Sequence, residues 1–287
     1  MIYLILAVLC SASMALALRI SEEFSDNRYG ILFGNYLTCL VIAFLLLPEK
    51  HLFPAGSRTA ILAGAVNGII FLATLVLMQR SIEKNGAVLS SAFAKLGIML
   101  PVLGSIVFLG EKPTLLQIVG MILVAAAILV INLEKERGGR RRHGSRVLLI
   151  ALFFSSGMAD GMSKVFEHIG ERQFDALFLF YTFLFAELLT VILLIREQGR
   201  RRRRRGSGLS PAELIAGIIV GIPNYFSTSL LLAAVTRLPA YVSYPCYSVG
   251  TILVVSFVSV VILRDRMTGR QMAGCGLILA ALVLLNI

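Results

Sequence analysis

A lysine lies inside one of the most apolar stretches of the sequence. The stretch is SSAFAKLGIMLPVLGSIVFLG, residues 90–110, and Lys95 precedes Pro101 in it by six residues. In a membrane helix rising 1.5 Å per residue, Lys95 would lie about 13 Å from the nearer end, whereas its side chain covers only about 6 Å. A charge at this depth costs roughly a few kcal/mol. We therefore expect Lys95 to face a polar partner or a water-filled cavity, where it could bind an anionic group.

Two carboxylates are candidates for the opposite charge. Asp160 lies in SSGMADGMSKVF, with Lys164 one turn later on the same helical face. Glu187 lies in FAELLTVILL, near the middle of another apolar run. Either carboxylate could bind an ammonium group or exchange a proton. The alternative for Lys95, Asp160 and Glu187 is a structural ion pair or a charge at a helix end.

Five further polar residues are weaker candidates for substrate contacts. Asn67 in GAVNGII and Asn224 in GIPNYFS occupy similar places in two apolar runs, and Tyr244 and Tyr247 lie in YVSYPCYSVG. Ser91 lies at the matching end of the run that holds Lys95. Amides within a membrane also form hydrogen bonds between helices, and tyrosines also anchor helices at the membrane surface. Both alternatives remain open at this point.

The sequence contains no pattern typical of an enzyme, a metal site or a disulfide framework. It has no G-x-S-x-G, HExxH or P-loop, and its four cysteines lack CxxC spacing. The three histidines fall in predicted loops or at helix ends. We therefore expect no catalytic residue, no bound metal and no cofactor, with coupling to a proton as the one addition that the carboxylates allow.

The composition indicates a membrane protein. The chain has 287 residues, of which 57% are hydrophobic and only 15% charged, whereas soluble domains average roughly half apolar and a quarter charged. A helix that crosses a bilayer needs about 20 apolar residues, and its backbone groups must be paired internally. Ten apolar runs meet this requirement: 2–18, 30–47, 59–79, 86–109, 114–133, 147–166, 175–195, 210–233, 239–263 and 268–286.

An internal repeat organises these runs. Residues 104–132, GSIVFLGEKPTLLQIVGMILVAAAILVIN, align at a constant offset with residues 258–286, VSVVILRDRMTGRQMAGCGLILAALVLLN. The third and eighth runs also share pairs of glycines spaced by four, which let helices approach closely. Five spans per half would insert the second half upside down relative to the first. The prediction is an all-α integral membrane protein with ten transmembrane helices in two inverted five-helix repeats, an architecture that has a central site.

The predicted boundaries place the first repeat at 1–134, a basic linker at 135–146 and the second repeat at 147–287. The segment LPVLGSIVFLGEKPTLLQIVG, residues 100–120, has the spacing P…GE…Q…G. This spacing resembles that of the EamA-type members of the drug/metabolite transporter superfamily, and the resemblance covers the whole chain. The second half departs from the pattern at Asp265 and Val255. The resemblance implies a ten-helix carrier of small metabolites, with a cavity walled by spans 1, 3, 4, 6, 8 and 9 and with spans 2 and 7 peripheral. On this ground Asp160, in span 6, is favoured over Glu187, in span 7, as a cavity residue.

The basic residues are concentrated in a few loops. Two tracts, KERGGRRRHGSR at 135–146 and RRRRRR at 200–205, lie between apolar runs, which argues for solvated loops rather than for nucleic-acid binding. We expect Arg140–Arg142 and Arg200–Arg205 to contact anionic lipids. The loops after odd-numbered spans hold twenty Lys and Arg residues and the even loops six. This bias predicts cytoplasmic odd loops in an inner or plasma membrane and both termini outside, whereas the better-known family members resemble the opposite case.

These features lead to one functional hypothesis and two alternatives. The first is a secondary transporter of a small polar or zwitterionic, amino-acid-like metabolite, working by alternating access around a midplane cavity. The second is a flippase of a lipid-linked intermediate, and the third is a non-transporting membrane scaffold. A homodimer is kept as an alternative to a monomer.

Overall fold

A computed structural model describes residues 1–24, 28–48, 51–85, 87–132, 145–205, 210–261 and 269–286. Every regular element within these residues is helical, as predicted. Seven helical segments are long and apolar enough to cross a membrane, and three shorter apolar helices cover residues 29–45, 115–130 and 272–285. The basic linker falls almost entirely outside the described residues, and with it Arg140–Arg142.

The helices follow the predicted apolar runs closely. In chain order they are α1 (Ile2–Phe24), α2 (Arg28–Leu45), α3 (Arg58–Asn85), α4 (Ala87–Leu96), α5 (Met99–Phe108), α6 (Leu115–Asn132), α7 (Arg146–Ile169), α8 (Asp175–Arg205), α9 (Pro211–Val235), α10 (Ala240–Val261) and α11 (Gly269–Asn286), with a short 3-10 turn at Arg172–Phe174.

The run that holds Lys95 is broken into α4 and α5. The break lies at Gly97 and Ile98, before Pro101 rather than at it. Proline has no backbone N–H, so Pro101 cannot donate to the carbonyl of Gly97, which accepts instead from Leu100 N at 2.9 Å. The Ile98 amide likewise bonds to Lys95 three residues back, at 3.3 Å. Lys95 therefore lies at the end of a helix, beside an irregular turn.

One predicted loop is helical. The tract at 200–205 was expected to be a solvated loop, but α8 continues through it to Arg205, beyond the apolar span that ends at Arg196. Arginine has a favourable helix propensity, so an apolar helix can extend through such a tract. The next helix, α9, has a well-defined start, because Ser210 and Glu213 form a reciprocal capping box and Pro211 occupies the first turn.

Helices of the first half pack mainly against helices of the second half. The principal pairs are α2 with α9, α1 with α9, α3 with α8, α3 with α7, and α6 with α11. Glycines allow the closest approaches: a Cβ atom on Gly217 of α9 would lie 2.6 Å from Cα of Gly34 on α2, and one on Gly64 of α3 would lie 2.7 Å from the carbonyl oxygen of Phe178 on α8. The predicted glycine pairs thus lie at helix contacts.

The outer surface of the bundle is strongly apolar. Phe108 and Leu115 are 84% and 81% exposed, and many other large apolar side chains point outward, as expected where lipid is the solvent. At one end of the bundle, Arg237 lies over the ring of Tyr3; we call this the terminal end. At the other end, Asn85 contacts Ser145; we call this the basic end, because the predicted basic loops belong to it.

Candidate functional site

Lys95 and Asp160 line the same cavity. The cavity has a volume of about 190 Å³ and lies between α1, α4, α7 and α10. These correspond to spans 1, 4, 6 and 9, four of the six that the family resemblance implies. Of the eight predicted site residues, the cavity contains Lys95, Asp160 and Tyr247. Its other lining residues are Ser11, Ala94, Ile98, Ser156, Ser248 and Thr251.

The two charged groups of the cavity do not pair with each other. Neither the Lys95 ammonium nor the Asp160 carboxylate has a hydrogen bond or an ion pair among the residues that the structure describes. Lys95 comes from the first half of the chain and Asp160 from the second. The cavity therefore presents one positive and one negative group, each available to a ligand, on walls contributed by different halves.

Hydroxyl groups make up most of the remaining polar lining. Ser156 donates to the carbonyl of Ala94 at 2.6 Å, Thr251 donates to the carbonyl of Tyr247 at 2.8 Å, and the Tyr247 hydroxyl shares a 2.8 Å hydrogen bond with Ser227 of α9. A hydroxyl has one donor hydrogen and two acceptor lone pairs. Because the hydroxyls of Ser156 and Thr251 donate to backbone carbonyls, they can offer the cavity mainly acceptor lone pairs. These suit ammonium or hydroxyl donors of a ligand.

The position of Lys95 depends on contact between the helix break and α7. The Ser156 hydroxyl donates to the Ala94 carbonyl next to Lys95, and a Cβ atom on Gly157 would clash with the carbonyl oxygen of Gly97. Only glycine lets the two backbones come this close. Asp160 follows Ser156 by one helical turn on the same face. One face of α7 therefore holds the backbone beside Lys95 and also supplies the opposite charge.

Tyr244 does not line the cavity but contacts one of its lining residues, Asp160. Its side chain is fully buried, and its hydroxyl donates to the backbone carbonyl of Asp160 at 3.0 Å. This bond ties α10 to α7 immediately beside the cavity. Tyr244 therefore lies inside the bundle and is not on its outer surface.

Glu187 lies apart from the cavity. It is 5% exposed, and neither of its carboxylate oxygens has a hydrogen-bond partner within the described residues. The Glu187 carboxylate lies close enough to Tyr36 and Cys39 of α2 to interact with them electrostatically. The structure therefore brings together Lys95 and Asp160, and it leaves the other candidate carboxylate between α8 and α2.

The two predicted asparagines join helices. Asn67 donates to the Thr182 hydroxyl of α8 at 3.4 Å, and Asn224 donates to the side-chain oxygen of Asn35 on α2 at 3.0 Å. Of the two interpretations left open by the sequence, the geometry matches interhelical hydrogen bonding. Ser91 on α4 is not among the residues that line the cavity.

Sequence reasoning missed four of the cavity hydroxyls: Ser11, Ser156, Ser248 and Thr251. One signal could have found two of them. At the offset of the internal repeat, Ser248 aligns with Ala94 and Thr251 with Gly97, so both flank the position equivalent to Lys95. In an inverted repeat, equivalent residues of the two halves line the same central site. Ser248 and Thr251 are therefore expected to face the cavity that holds Lys95.

Comparison with known proteins gives three informative similarities. A protein of Haemophilus influenzae, described as uncharacterized, is 24% identical over 239 residues, which cover 80% of this chain and 78% of that protein. A Lactobacillus johnsonii protein named "Putative sugar uptake protein" is 26% identical over 135 residues, or 45% of this chain and 47% of that protein. One crystal structure matches with a TM-score of 0.68 at 15% identity, over 99% of this chain and 94% of that chain, which supports the fold alone.

The sequence profile of the EamA-like transporter family matches residues 1–133 and 147–287. These residues are nearly the whole chain, and the matched segments agree with the helical bundle and its apolar outer surface. The chain therefore belongs to the EamA-like transporter family, a family of multi-pass membrane transporters.

Proposed function

We propose that the protein is a secondary carrier with ten membrane spans in two inverted repeats, residues 1–134 and 147–287, joined by the basic linker 135–146. Two observations support this arrangement. The family profile covers residues 1–133 and 147–287, and packing pairs related by the repeat recur, since α2 with α9 has its counterpart in α3 with α8. α4 and α5 together then form the fourth span.

The proposed substrate is a small zwitterion that resembles an amino acid. The observation that carries this proposal is that Lys95 and Asp160 line one cavity without pairing. A ligand with a carboxylate and an ammonium group would satisfy both charges, and charge-assisted hydrogen bonds are roughly twice as strong as neutral ones. The cavity of about 190 Å³ is below the range of about 300–1,000 Å³ typical of drug-sized ligands. This size favours a metabolite over a lipid-linked intermediate.

In this mechanism the two halves rock around the bound substrate. Each half contributes one of the two charges, so the substrate bridges them. Binding in the closed state would offset the cost of removing both charges from water, which is high when they have no partner. A substrate that carries only one of the two groups leaves the other charge buried and unpaired. This difference gives the carrier its selectivity.

A sugar is the second candidate substrate. The hydroxyl lining of Ser11, Ser156, Ser248 and Thr251 can accept hydrogen bonds from sugar hydroxyls, and the name of the Lactobacillus johnsonii relative refers to sugar uptake. Against this candidate, a neutral sugar leaves Lys95 and Asp160 without counter-charges.

Coupling and membrane contacts are further parts of the proposal. If a proton drives the transport, Asp160 is the carboxylate that carries it, because it is the one in the cavity. The basic tract at the end of α8, Arg200–Arg205, lies beyond the apolar span and would contact anionic phospholipids of the cytoplasmic leaflet, together with Arg140–Arg142.

A ligand panel tests the substrate class. Detergent-purified protein is heated in the presence of amino acids, amines, carboxylates and neutral sugars. A ligand at 100 times its Kd stabilises the folded state by about 2.7 kcal/mol. We expect zwitterions to raise the unfolding temperature of the wild type and to raise that of Lys95→Met much less. Stabilisation by neutral sugars alone would favour the second candidate, and the absence of any stabilising solute would favour lipid flipping or scaffolding.

A further inference from the structure

A charged network lies at the terminal end of the bundle, outside the cavity. Its central residue is Glu111, in the loop between α5 and α6. Glu111 forms an ion pair with Lys164 of α7, with an N–O distance of 3.3 Å, and it accepts a hydrogen bond of 3.0 Å from the Ser105 hydroxyl. Its two carboxylate oxygens also accept from the backbone N–H of Ala240, at 3.1 and 2.9 Å.

The partners of Glu111 are chemically suited to a carboxylate. Ala240 is the first residue of α10, and the first N–H groups of a helix have no partner within it. A negative charge there is also favoured by the helix dipole. Lys164 is further held by Glu167 at 3.0 Å and by the carbonyl of Val235, the last residue of α9, at 3.4 Å. The Glu111 and Lys164 side chains are only 15% and 13% exposed.

The network joins the two halves of the chain. Glu111 belongs to the first half, and Lys164, Val235 and Ala240 belong to the second. No residue of the network lines the cavity that holds Lys95 and Asp160. Lys164 nevertheless follows Asp160 by one turn on α7, and Tyr244, one turn into α10, donates to the Asp160 carbonyl. The network and Tyr244 therefore lie in succession between the cavity and the terminal end.

The packing of the fourth span differs between the two ends. Its terminal-end half, α5, packs against two helices of the second half, α7 and α10. Its basic-end half, α4, has its main partners among the described helices in α3, α6 and α7. Contacts between α10 and the fourth span are thus concentrated on the side where the charged network lies.

From these contacts we infer that Glu111 and Lys164 form the gate that closes the cavity at the terminal end. The inference rests on the proposed carrier function, because only a carrier must expose its site alternately at two ends. Opening the terminal end separates Glu111 from Lys164 and from the N-terminus of α10. Movement of α7 or α10 when a substrate binds Asp160 reaches this gate through Lys164, one turn away, and through Tyr244.

Cysteine labelling tests the gate without any substrate. In a protein whose native cysteines are replaced, Ser248→Cys provides a cavity thiol, and a membrane-impermeant maleimide is applied to sealed vesicles of either orientation. A separate Gln173→Cys protein, with its thiol in the loop after α7, identifies the face at the terminal end. We expect the cavity thiol to react from the basic end. Glu111→Gln and Lys164→Met should each raise its labelling rate from the terminal end at least tenfold.

Two matched controls separate the gate from general charge effects. Glu171→Gln removes an exposed carboxylate at the same end, and Glu167→Gln removes the partner of Lys164 that belongs to the same helix; both should leave the labelling rate from the terminal end within twofold. If the Glu111→Gln and Lys164→Met proteins fold and their labelling is unchanged, the gate is overturned. It is also overturned if neither protein folds, because the network would then stabilise the fold rather than close the cavity. A shift in labelling in a protein that binds no zwitterion would keep the gate and reject the proposed substrate.

Discussion

Three ionisable residues within the apolar runs have two different surroundings. Lys95 and Asp160 face a common cavity, where a ligand can supply each with a counter-charge. Glu187 is buried between helices, with no hydrogen-bond partner for its carboxylate within the described part of the chain. The distinction matters because intramembrane charges usually mark a substrate or ion path. The geometry limits that expectation to the pair in the cavity.

Neutralising Asp160 should therefore weaken ligand binding, whereas neutralising Glu187 should leave it nearly unchanged. Asp160→Asn removes the counter-charge for an ammonium group and should weaken zwitterion binding at least tenfold, or by about 1.4 kcal/mol. Glu187→Gln should change the affinity less than twofold and should not lower the unfolding temperature, since it removes a buried group that lacks a partner. Calorimetric titration of the two variants checks this. Equal losses of affinity would mean that Glu187 belongs to the site.

At the scale of single elements, the contact of α7 with the turn between α4 and α5 determines the shape of the site. The irregular turn between α4 and α5 rests on α7 at Gly157, and the Ser156 hydroxyl holds the carbonyl beside Lys95. Elsewhere, glycines bring α9 against α2 and α3 against α8. Small residues are needed at both places, because lipid offers no hydrophobic drive for helix association and close packing must replace it.

Ser156→Ala should displace Lys95 without unfolding the bundle. The Ala94 carbonyl loses its donor, so we expect a three- to tenfold loss of affinity for zwitterions, restored by Ser156→Thr. Ser155→Ala is the matched control, because the neighbouring Ser155 hydroxyl bonds to Thr74, at 2.6 Å, and not to α4. Ligand titration in the Lys95→Met background distinguishes positioning from a general effect: the further loss caused by Ser156→Ala should then be smaller than in the wild type, because only the acceptor that Ser156 itself offers the ligand is removed.

Gly217→Ala should destabilise the bundle. The added methyl group would meet the backbone of α2 at Gly34, and overpacking of this kind costs typically about 1–3 kcal/mol. Gly276→Ala on α11 is the control, since nothing lies within 4 Å of a Cβ atom there. Thermal unfolding in detergent compares the two. Comparable unfolding temperatures would show that the contact between α2 and α9 can relax at little cost.

At the scale of the whole molecule, the asymmetry of basic residues predicts the orientation in the membrane. Cytoplasmic basic loops place both termini outside, and the terminal end, with the proposed gate, then faces outward. Alkaline phosphatase fused after residue 287 should be active in a bacterial inner membrane, and the same enzyme inserted at Arg203 should be inactive. The reverse pattern would give this chain the orientation of the better-known family members and would make the gate cytoplasmic.

Much of the architecture could be predicted from the sequence, because helix formation in a membrane depends on local apolar length. The ten apolar runs match the observed helices within three residues, apart from three C-terminal ends: α1 and α3 each continue six residues further, and α8 continues ten residues further through its arginine tract. The break at Gly97 was not predicted, since it depends on contact with Gly157 as well as on Pro101. The sequence pattern of one helix does not show which residues of another helix it will contact.

The site was predictable in part for the same reason. Lys95 and Asp160 stand out as charges in apolar runs, but whether Asp160 or Glu187 shares a cavity with Lys95 depends on how α7 and α8 are arranged around α4. Asn67 and Asn224 are polar residues of the same kind, yet each bonds to a neighbouring helix. Among the cavity hydroxyls, Ser248 and Thr251 could have been predicted from the internal repeat, whereas Ser11 and Ser156 could not, because serine is common in membrane helices and carries no charge.

The central claim is that Lys95 and Asp160 bind opposite ends of one substrate. The most direct measurement titrates wild type, Lys95→Met and Asp160→Asn with a stabilising zwitterion and with its two analogues that lack either the carboxylate or the amine. Lys95→Met should lose at least tenfold in affinity for the carboxylate-bearing ligands and little for the amine analogue, and Asp160→Asn should show the converse. If both substitutions lower the affinity for all three ligands equally, or if neither lowers the affinity for any of them, the two charges do not recognise the two ends of a substrate.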